Sequence, residues 1–144
     1  MDIITDVKYV KGLDIASAAS ADRTGAVVDM SGFQGVRMCV IFPSVTTGAA
    51  VSIKAQTATA AAFSTPHDVT GTAQTIADDA DNNIFVIDVQ NPAERYVRLY
   101  VDNDASNNTT SVAWYELYGP DVKPTSQGTG VTYERHVFPA TGTA

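Results

Sequence analysis

Three side chains of the types used in hydrolytic triads lie close together in the sequence, at Ser64, His67 and Asp68. A serine hydrolase needs a serine that a histidine activates and a carboxylate that orients the histidine. This cluster lacks the strained Gly-x-Ser-x-Gly turn that exposes the nucleophilic serine of many hydrolases. We therefore interpret it as polar loop residues, and we expect no catalytic residues and no enzymatic activity.

The single cysteine, Cys39, is a second candidate nucleophile. A catalytic cysteine needs a base beside it, and the sequence indicates no partner histidine. Cys39 lies between Met38 and Val40, where a free cysteine is often simply a small buried apolar residue. One cysteine also excludes an intramolecular disulfide and a cysteine-built zinc site.

Two acidic turns have the residue types that bind calcium. Asp79, Asp81 and Asn83 alternate as the first ligands of an EF-hand loop do, but Ile84 and Gln90 stand where that loop needs Gly and Glu. The turn that begins at Asp102, Asp104 and Ser106 departs from the pattern in the same way. We expect solvated turns and no metal or other cofactor, with a nonstandard calcium loop as the open alternative.

The composition indicates which elements must position these residues. The chain of 144 residues has 17 Val, 8 Ile and 17 Thr but only 3 Leu. β-Branched residues suit a pleated sheet better than a helix. No apolar run approaches the ~20 residues of a membrane-spanning helix. We predict an all-β protein, an antiparallel β-sandwich of jelly-roll-like type with extended N- and C-terminal arms.

Alternating apolar residues predict the strands and the domain boundaries. The clearest strands are residues 34–42, 50–57, 84–89, 95–102 and 110–118, and the last two are predicted to form a hairpin around a six-residue turn. We predict an N-terminal arm at 1–22, a sandwich domain at 23–119 and an extended tail at 120–144. The predicted core contains Val36, Val40, Ile53, Ile87, Val97, Leu99 and Val101.

The net charge of −7 limits the partners. A negative chain repels nucleic-acid phosphates and anionic lipids, so we expect neither nucleic acid nor membrane as a partner. The N-terminal ten residues lack the basic and then apolar pattern of a secretory signal. Only 17% of the residues are charged, below the ~25% usual for soluble domains, which favours packing against other proteins.

Two groups of residues are candidates for an interface. Tyr96, Arg98 and Tyr100 lie on one face of a strand. This face is either a contact surface or is buried against another sheet. The tail is too polar to form a core, yet it contains one apolar and aromatic patch that could add a strand to a neighbouring sheet. The candidate contact residues in that patch are Val131, Tyr133, Arg135, His136, Val137 and Phe138.

Three short motifs and their order resemble those of small phage virion proteins that are often encoded beside the major capsid protein. The motifs are V-D-x-x-G-F at residues 28–33, K/R-Y-V-R at 95–98 and S-V-A at 111–113, and the resemblance covers about residues 24–122. It implies a capsid decoration or cement protein that is made in the host cytoplasm and binds the outer shell of the virion. The implied partners are the major capsid protein and further copies of the chain, which we expect to form a homotrimer.

The strand at residues 95–99 also looks like one in discoidin-type carbohydrate-binding modules, which are β-sandwiches too. The alternative function is therefore a carbohydrate-binding module involved in host recognition. The tail distinguishes the two functions, because a cement protein uses arms to bridge subunits and a binding module needs none.

Overall fold

The computed structural model describes residues 3–16, 20–103, 109–135 and 142. Over these residues the chain is nearly all β, with one helical turn, α1, at Ile3–Asp6. The ten strands are β1 Val7–Leu13, β2 Arg23–Thr24, β3 Val28–Asp29, β4 Phe33–Val45, β5 Val51–Ala58, β6 His67–Asp68, β7 Gln74–Ile76, β8 Ile84–Gln90, β9 Tyr96–Asp102 and β10 Thr109–Pro120. The predicted all-β class is confirmed.

The strands form two antiparallel sheets that pack together as a sandwich. The first sheet has four strands in the order β1-β10-β4-β8. The second has six: β2, β9, β5 and β6 follow one another, β3 also pairs with β9, and β7 also pairs with β5. The long strands β4 and β10 form the centre of the first sheet, and β5 and β9 form the centre of the second.

The core between the sheets contains the residues that the alternation predicts. The side chains of Val36 and Val40 from β4 face those of Ile53, Val97 and Leu99 from the other sheet, and all five are fully buried. Val101 and Ile87 are buried with them. Burial of this size is the main favourable contribution to folding, at about 1.5–3 kcal/mol per large apolar side chain.

The predicted hairpin of residues 95–102 and 110–118 is wrong. β9 lies in the six-stranded sheet and β10 in the four-stranded sheet, so the chain crosses the sandwich between them. Buried Asn103 fixes the start of this crossing: its Nδ2 donates to the Ala21 carbonyl at 2.7 Å, and its Oδ1 accepts from Thr109 Oγ1 at 2.7 Å. Strand alternation gives the buried face of a strand but not its neighbour, which explains the error.

The predicted N-terminal arm at 1–22 is also wrong over much of its length. Val7–Leu13 form β1, which pairs with β10 at the edge of the four-stranded sheet, from Val7 opposite Tyr118 to Leu13 opposite Ala113. The turn α1 at Ile3–Asp6 directly precedes this strand. Pairing with a long neighbour supplies the backbone hydrogen bonds that a weak local pattern cannot predict.

The strand predicted at residues 84–89 is buried on one face only. In β8 the side chains of Ile87 and Val89 are buried, while Ile84 is 61% exposed and Val86 43% exposed. A strand that has one face against the core and the other in solvent alternates between buried and exposed side chains in this way. β8 therefore presents apolar side chains on the outer face of the four-stranded sheet.

Candidate functional site

The predicted contact residues of β9 lie on the outer face of the six-stranded sheet, where Tyr96, Arg98 and Tyr100 are half-buried. The Arg98 guanidinium donates from Nε and Nη2 to Gln56 Oε1, at 3.0 and 2.9 Å. It also lies 4.3 Å from the centroid of the Phe63 ring. Phe63 has φ 51° and is buried, so the loop after β5 folds back over this arginine. The second of the two predicted arrangements, burial against another sheet, is wrong, because a loop and polar side chains cover this face.

Tyr100 is held by charged neighbours. Its hydroxyl donates to Asp22 Oδ2 at 2.6 Å, and Lys54 Nζ lies 5.1 Å from the ring centroid. The hydrogen bond to Asp22, with burial, raises the pKa of Tyr100 to about 12. Asp22 Oδ1 in turn accepts from the backbone N–H of Asn103 at 3.0 Å, so this tyrosine is joined to the crossing between the sheets.

An ionic network extends across the same face. Lys54 Nζ donates to Asp68 Oδ2 at 2.7 Å, and Gln56 Nε2 donates to Asp68 Oδ1 at 2.9 Å. The hydrogen bond from Lys54, then that from Gln56, lowers the pKa of the Asp68 carboxyl. Gln56 thus connects Arg98 to Asp68, and the polar groups of the β9 face bind one another. The arrangement suits a structured, charged contact surface.

The C-terminal segment is attached to the opposite sheet, along the free edge of β1. The Tyr9 N–H donates to Gln127 Oε1 at 2.7 Å, and Gln127 Nε2 donates to the Val7 carbonyl at 2.9 Å. Backbone bonds extend the contact on both sides, from Thr125 N to the Thr5 carbonyl at 3.2 Å and from Gly128 N to the Tyr9 carbonyl at 3.0 Å. Residues 125–128 therefore cover the backbone groups that an edge strand otherwise exposes. We call this contact the edge strap.

Beyond the edge strap, the chain forms one wall of an open groove of about 450 Å³. Val131 and Tyr133 line it on one side, and Tyr9, Val10 and Trp114 line it on the other. Tyr133 is 54% exposed. The Trp114 indole Nε1 donates to Glu116 Oε1 at 3.2 Å, which holds the indole ring on its side of the groove. The groove is apolar and open enough to accept a side chain of another protein.

The predicted contact residues thus form two groups that the fold separates. Tyr96, Arg98 and Tyr100 lie outside the six-stranded sheet, and Val131 and Tyr133 lie beside the four-stranded sheet. Arg135 is exposed, and His136, Val137 and Phe138 lie outside the described residues. The sequence reasoning missed Gln127, whose amide can replace one backbone partner of a strand, and it missed the exposure of Ile84 and Val86.

Three of the side chains first considered for catalysis and metal binding, those of His67, Asp68 and Asp81, have other partners. His67 Nδ1 is hydrogen-bonded to Glu94 Oε1 at 2.9 Å, and Asp68 is bound by Lys54 and Gln56. Asp81 Oδ1 accepts from the Val45 N–H, and Asp78 Oδ2 accepts from the Gly48 N–H, both at 2.7 Å. These two carboxylates fasten the turn between β4 and β5.

Burial raises the pKa of the Cys39 thiol, which makes the reactive thiolate less accessible. Among the described residues, no group of three or more His, Cys, Asp or Glu side chains is arranged to hold a metal ion. The same part of the chain contains no helix long and apolar enough to span a membrane. No protein-family model matches the sequence, and no curated protein is significantly similar to it.

Proposed function

We propose that this protein is a non-enzymatic structural component of a phage virion that binds the outer capsid surface and reinforces it. The observation that supports this most is the geometry of the C-terminal segment. It is fastened to β1 through Gln127 and then presents Val131 and Tyr133 at an open apolar groove. A rigid body with an anchored arm is what a protein needs to hold neighbouring subunits together.

The anchor reduces the entropy cost of such a contact. Ordering a free chain costs about 1–2 kcal/mol per residue. Residues 125–128 are already ordered on the sheet edge, so a partner that binds the following residues needs to order only those. The proposed partners are the major capsid protein and further copies of this chain, assembled as a homotrimer on the shell. The β9 face of Tyr96, Arg98 and Tyr100 is the second proposed contact surface.

Cosedimentation with capsids tests this function. The shells are prepared from virions that carry the protein and are first stripped of it. The wild-type protein is then compared with a variant that lacks residues 129–144 but keeps the edge strap. We expect the wild type to bind the shells and the truncation to weaken binding at least about tenfold. A variant that lacks only residues 142–144 is the matched control and should bind like the wild type.

Two outcomes would contradict the proposal. If the wild-type protein does not sediment with the shells, the decoration function is wrong. If the truncated protein binds as tightly as the wild type, the arm is not the contact. Circular dichroism shows whether the truncated protein retains the β fold.

The carbohydrate-binding alternative has less support from the geometry. Sugar sites use aromatic faces and polar groups that are free to bind hydroxyls. Here the guanidinium of Arg98 binds Gln56 and Phe63, and the Tyr100 hydroxyl binds Asp22. A sugar would have to replace these contacts.

A further inference from the structure

β8 forms the second edge of the four-stranded sheet, and it differs from the edge at β1. Its sequence, IFVIDVQ, contains no Lys, Arg or Pro, which are residues that commonly prevent edge strands from pairing. Ile84 is 61% exposed and Val86 43% exposed on the outer face of this strand. An exposed apolar edge strand is a site at which another strand adds.

One hydrogen bond shows which residues of β8 direct their backbone groups outward. Gln74 Nε2, from β7 of the other sheet, donates to the Val86 carbonyl at 2.8 Å. In an antiparallel ladder, alternate residues point their N–H and C=O groups to the same side. Ile84, Val86 and Asp88 therefore point these groups away from β4. Gln74 thus supplies one side-chain hydrogen bond to the outward backbone groups of this strand.

The two edges together determine which pairing is open to the sheet. The edge strap occupies β1, with Gln127 bound to Tyr9 N–H and to the Val7 carbonyl. Head-to-tail pairing of β1 with β8 of another copy is therefore obstructed. Pairing of β8 with another β8 is isologous, so it closes at two copies and cannot form a filament.

We propose that β8 strands of two copies pair antiparallel about a twofold axis, so that two four-stranded sheets become one eight-stranded sheet. A register with Val86 opposite the partner's Val86 places each Ile84 opposite an Asp88. This register keeps the two Asp88 carboxylates from facing each other directly, which would destabilise the pair. The Gln74 side chain moves aside, because the partner's backbone takes its place at the Val86 carbonyl.

The contact is weak and depends on salt in a characteristic direction. One strand edge buries less surface than the ~1,200–2,000 Å² of a stable interface. Each copy has a net charge of −7, so the copies repel each other at low ionic strength. Salt screens this repulsion and strengthens the association. The inference concerns the free protein and does not depend on the proposed function.

Cross-linking tests the contact in the full-length protein. Cys39 of β4 lies directly opposite Val86 and would compete by forming an intramolecular disulfide, so both cysteine variants are made in a Cys39→Ala background. In that background Val86→Cys places two thiols at the proposed axis, and mild oxidation should convert most of the protein to a covalent dimer. Val122→Cys is the matched control, because Val122 is 78% exposed but lies in the bend after β10. The proposal is overturned if Val86→Cys stays monomeric, or if Val122→Cys cross-links to the same extent.

Sedimentation velocity gives an independent readout without a covalent bond. Val86→Lys should weaken the twofold association at least about tenfold, because a lysine on an edge strand opposes pairing. Gln74→Ala should strengthen it roughly fivefold, because the Val86 carbonyl no longer has a competing donor. Val122→Lys should leave it unchanged. A strict monomer at high micromolar concentration and high salt would overturn the proposal, as would an association that Val86→Lys leaves unchanged.

Discussion

The hydroxyl of Tyr115 accepts a hydrogen bond from the backbone N–H of Leu99 at 3.1 Å and thereby joins the centres of the two sheets. Tyr115 belongs to β10, and Leu99 belongs to β9 in the opposite sheet. β2 and β3 both pair with β9, but the segment between them does not continue the ladder beside Leu99. In that segment Gly25 N donates to the Leu99 carbonyl at 2.9 Å. The tyrosine hydroxyl therefore supplies the partner that a strand residue would otherwise provide. Burial raises the pKa of Tyr115, which keeps this hydroxyl neutral.

Tyr115→Phe tests this link between the sheets. It leaves a buried backbone N–H without a partner, which costs about 1–3 kcal/mol. We expect a decrease of that size in the free energy of unfolding, measured by urea denaturation. Tyr118→Phe is the matched control in the same strand, because its hydroxyl donates to exposed Asp88 at 2.8 Å. Equal destabilisation by both variants would contradict the account.

Gly25 is required because of the same tyrosine. A Cβ at this position would overlap the Tyr115 hydroxyl. Gly25→Ala should therefore destabilise the protein by about 1–3 kcal/mol, as overpacking of a core does. The cost should be smaller in a Tyr115→Phe background, where the hydroxyl is gone, and a double-mutant cycle measures that coupling. Additive effects of the two substitutions would show that they do not interact.

Leu99→Ala tests the assignment of the buried face. Leu99 is fully buried at the centre of β9, and removal of its side chain leaves a cavity. We expect a loss of about 2–5 kcal/mol in the free energy of unfolding. A loss below about 0.5 kcal/mol, the range of ordinary surface substitutions, would mean that the leucine is not in the core.

Gln127→Ala tests the edge strap. The variant loses the two side-chain bonds to β1 but keeps the backbone bond from Gly128 to Tyr9. We expect a destabilisation of about 1–2 kcal/mol, with faster hydrogen exchange at the Tyr9 amide. Ser126→Ala is the control, because Ser126 is exposed. Unchanged protection of the Tyr9 amide in Gln127→Ala would contradict the strap.

The raised pKa of Tyr100 predicts how the stability of the protein changes at high pH. Its pKa is about 12 in the folded protein, against an ordinary value of 10.0, chiefly because its hydroxyl donates to Asp22. A raised pKa means that the folded state favours the protonated form. The resulting stabilisation is complete below about pH 10 and is lost as the pH rises towards about 12.

A spectroscopic titration of the tyrosines measures this shift. Asp22→Asn removes the carboxylate and should return one tyrosine to a pKa nearer the ordinary value, and Tyr100→Phe should remove that component. Thermal unfolding from about pH 9 to about pH 12 should decline less steeply for Tyr100→Phe than for the wild type. Identical pH dependence of the two proteins would contradict the assigned hydrogen bond.

The core was predictable because strand alternation depends only on the chain's own side chains. Val36 and Val40 were placed on the buried face of β4, and Val97 and Leu99 on that of β9, from a period of two residues. The pairing partners were not predictable, because the same period fits any neighbour. For this reason the sequence wrongly predicts a hairpin of β9 and β10. In the structure the two strands lie in opposite sheets, and the Leu99 N–H donates to the Tyr115 hydroxyl between them.

The candidate sites were predictable only in part, for a similar reason. Alternation correctly predicts that Tyr96, Arg98 and Tyr100 share one face of β9. The loop that brings Phe63 onto Arg98 has no local pattern that predicts it. The role of Gln127 depends on its position beside Tyr9, over a hundred residues away in the chain. Contacts at such separations are set by the tertiary fold and leave no local signal in the sequence.

Cryo-electron microscopy of virions that carry this protein tests its proposed function most directly. The account predicts density for the sandwich on the outer surface of the shell, with the residues after Gly128 in contact with capsid protein or a neighbouring copy. Absence of density for this protein from the shell surface would contradict the proposal, as would density for it only at the tail or a fibre of the virion.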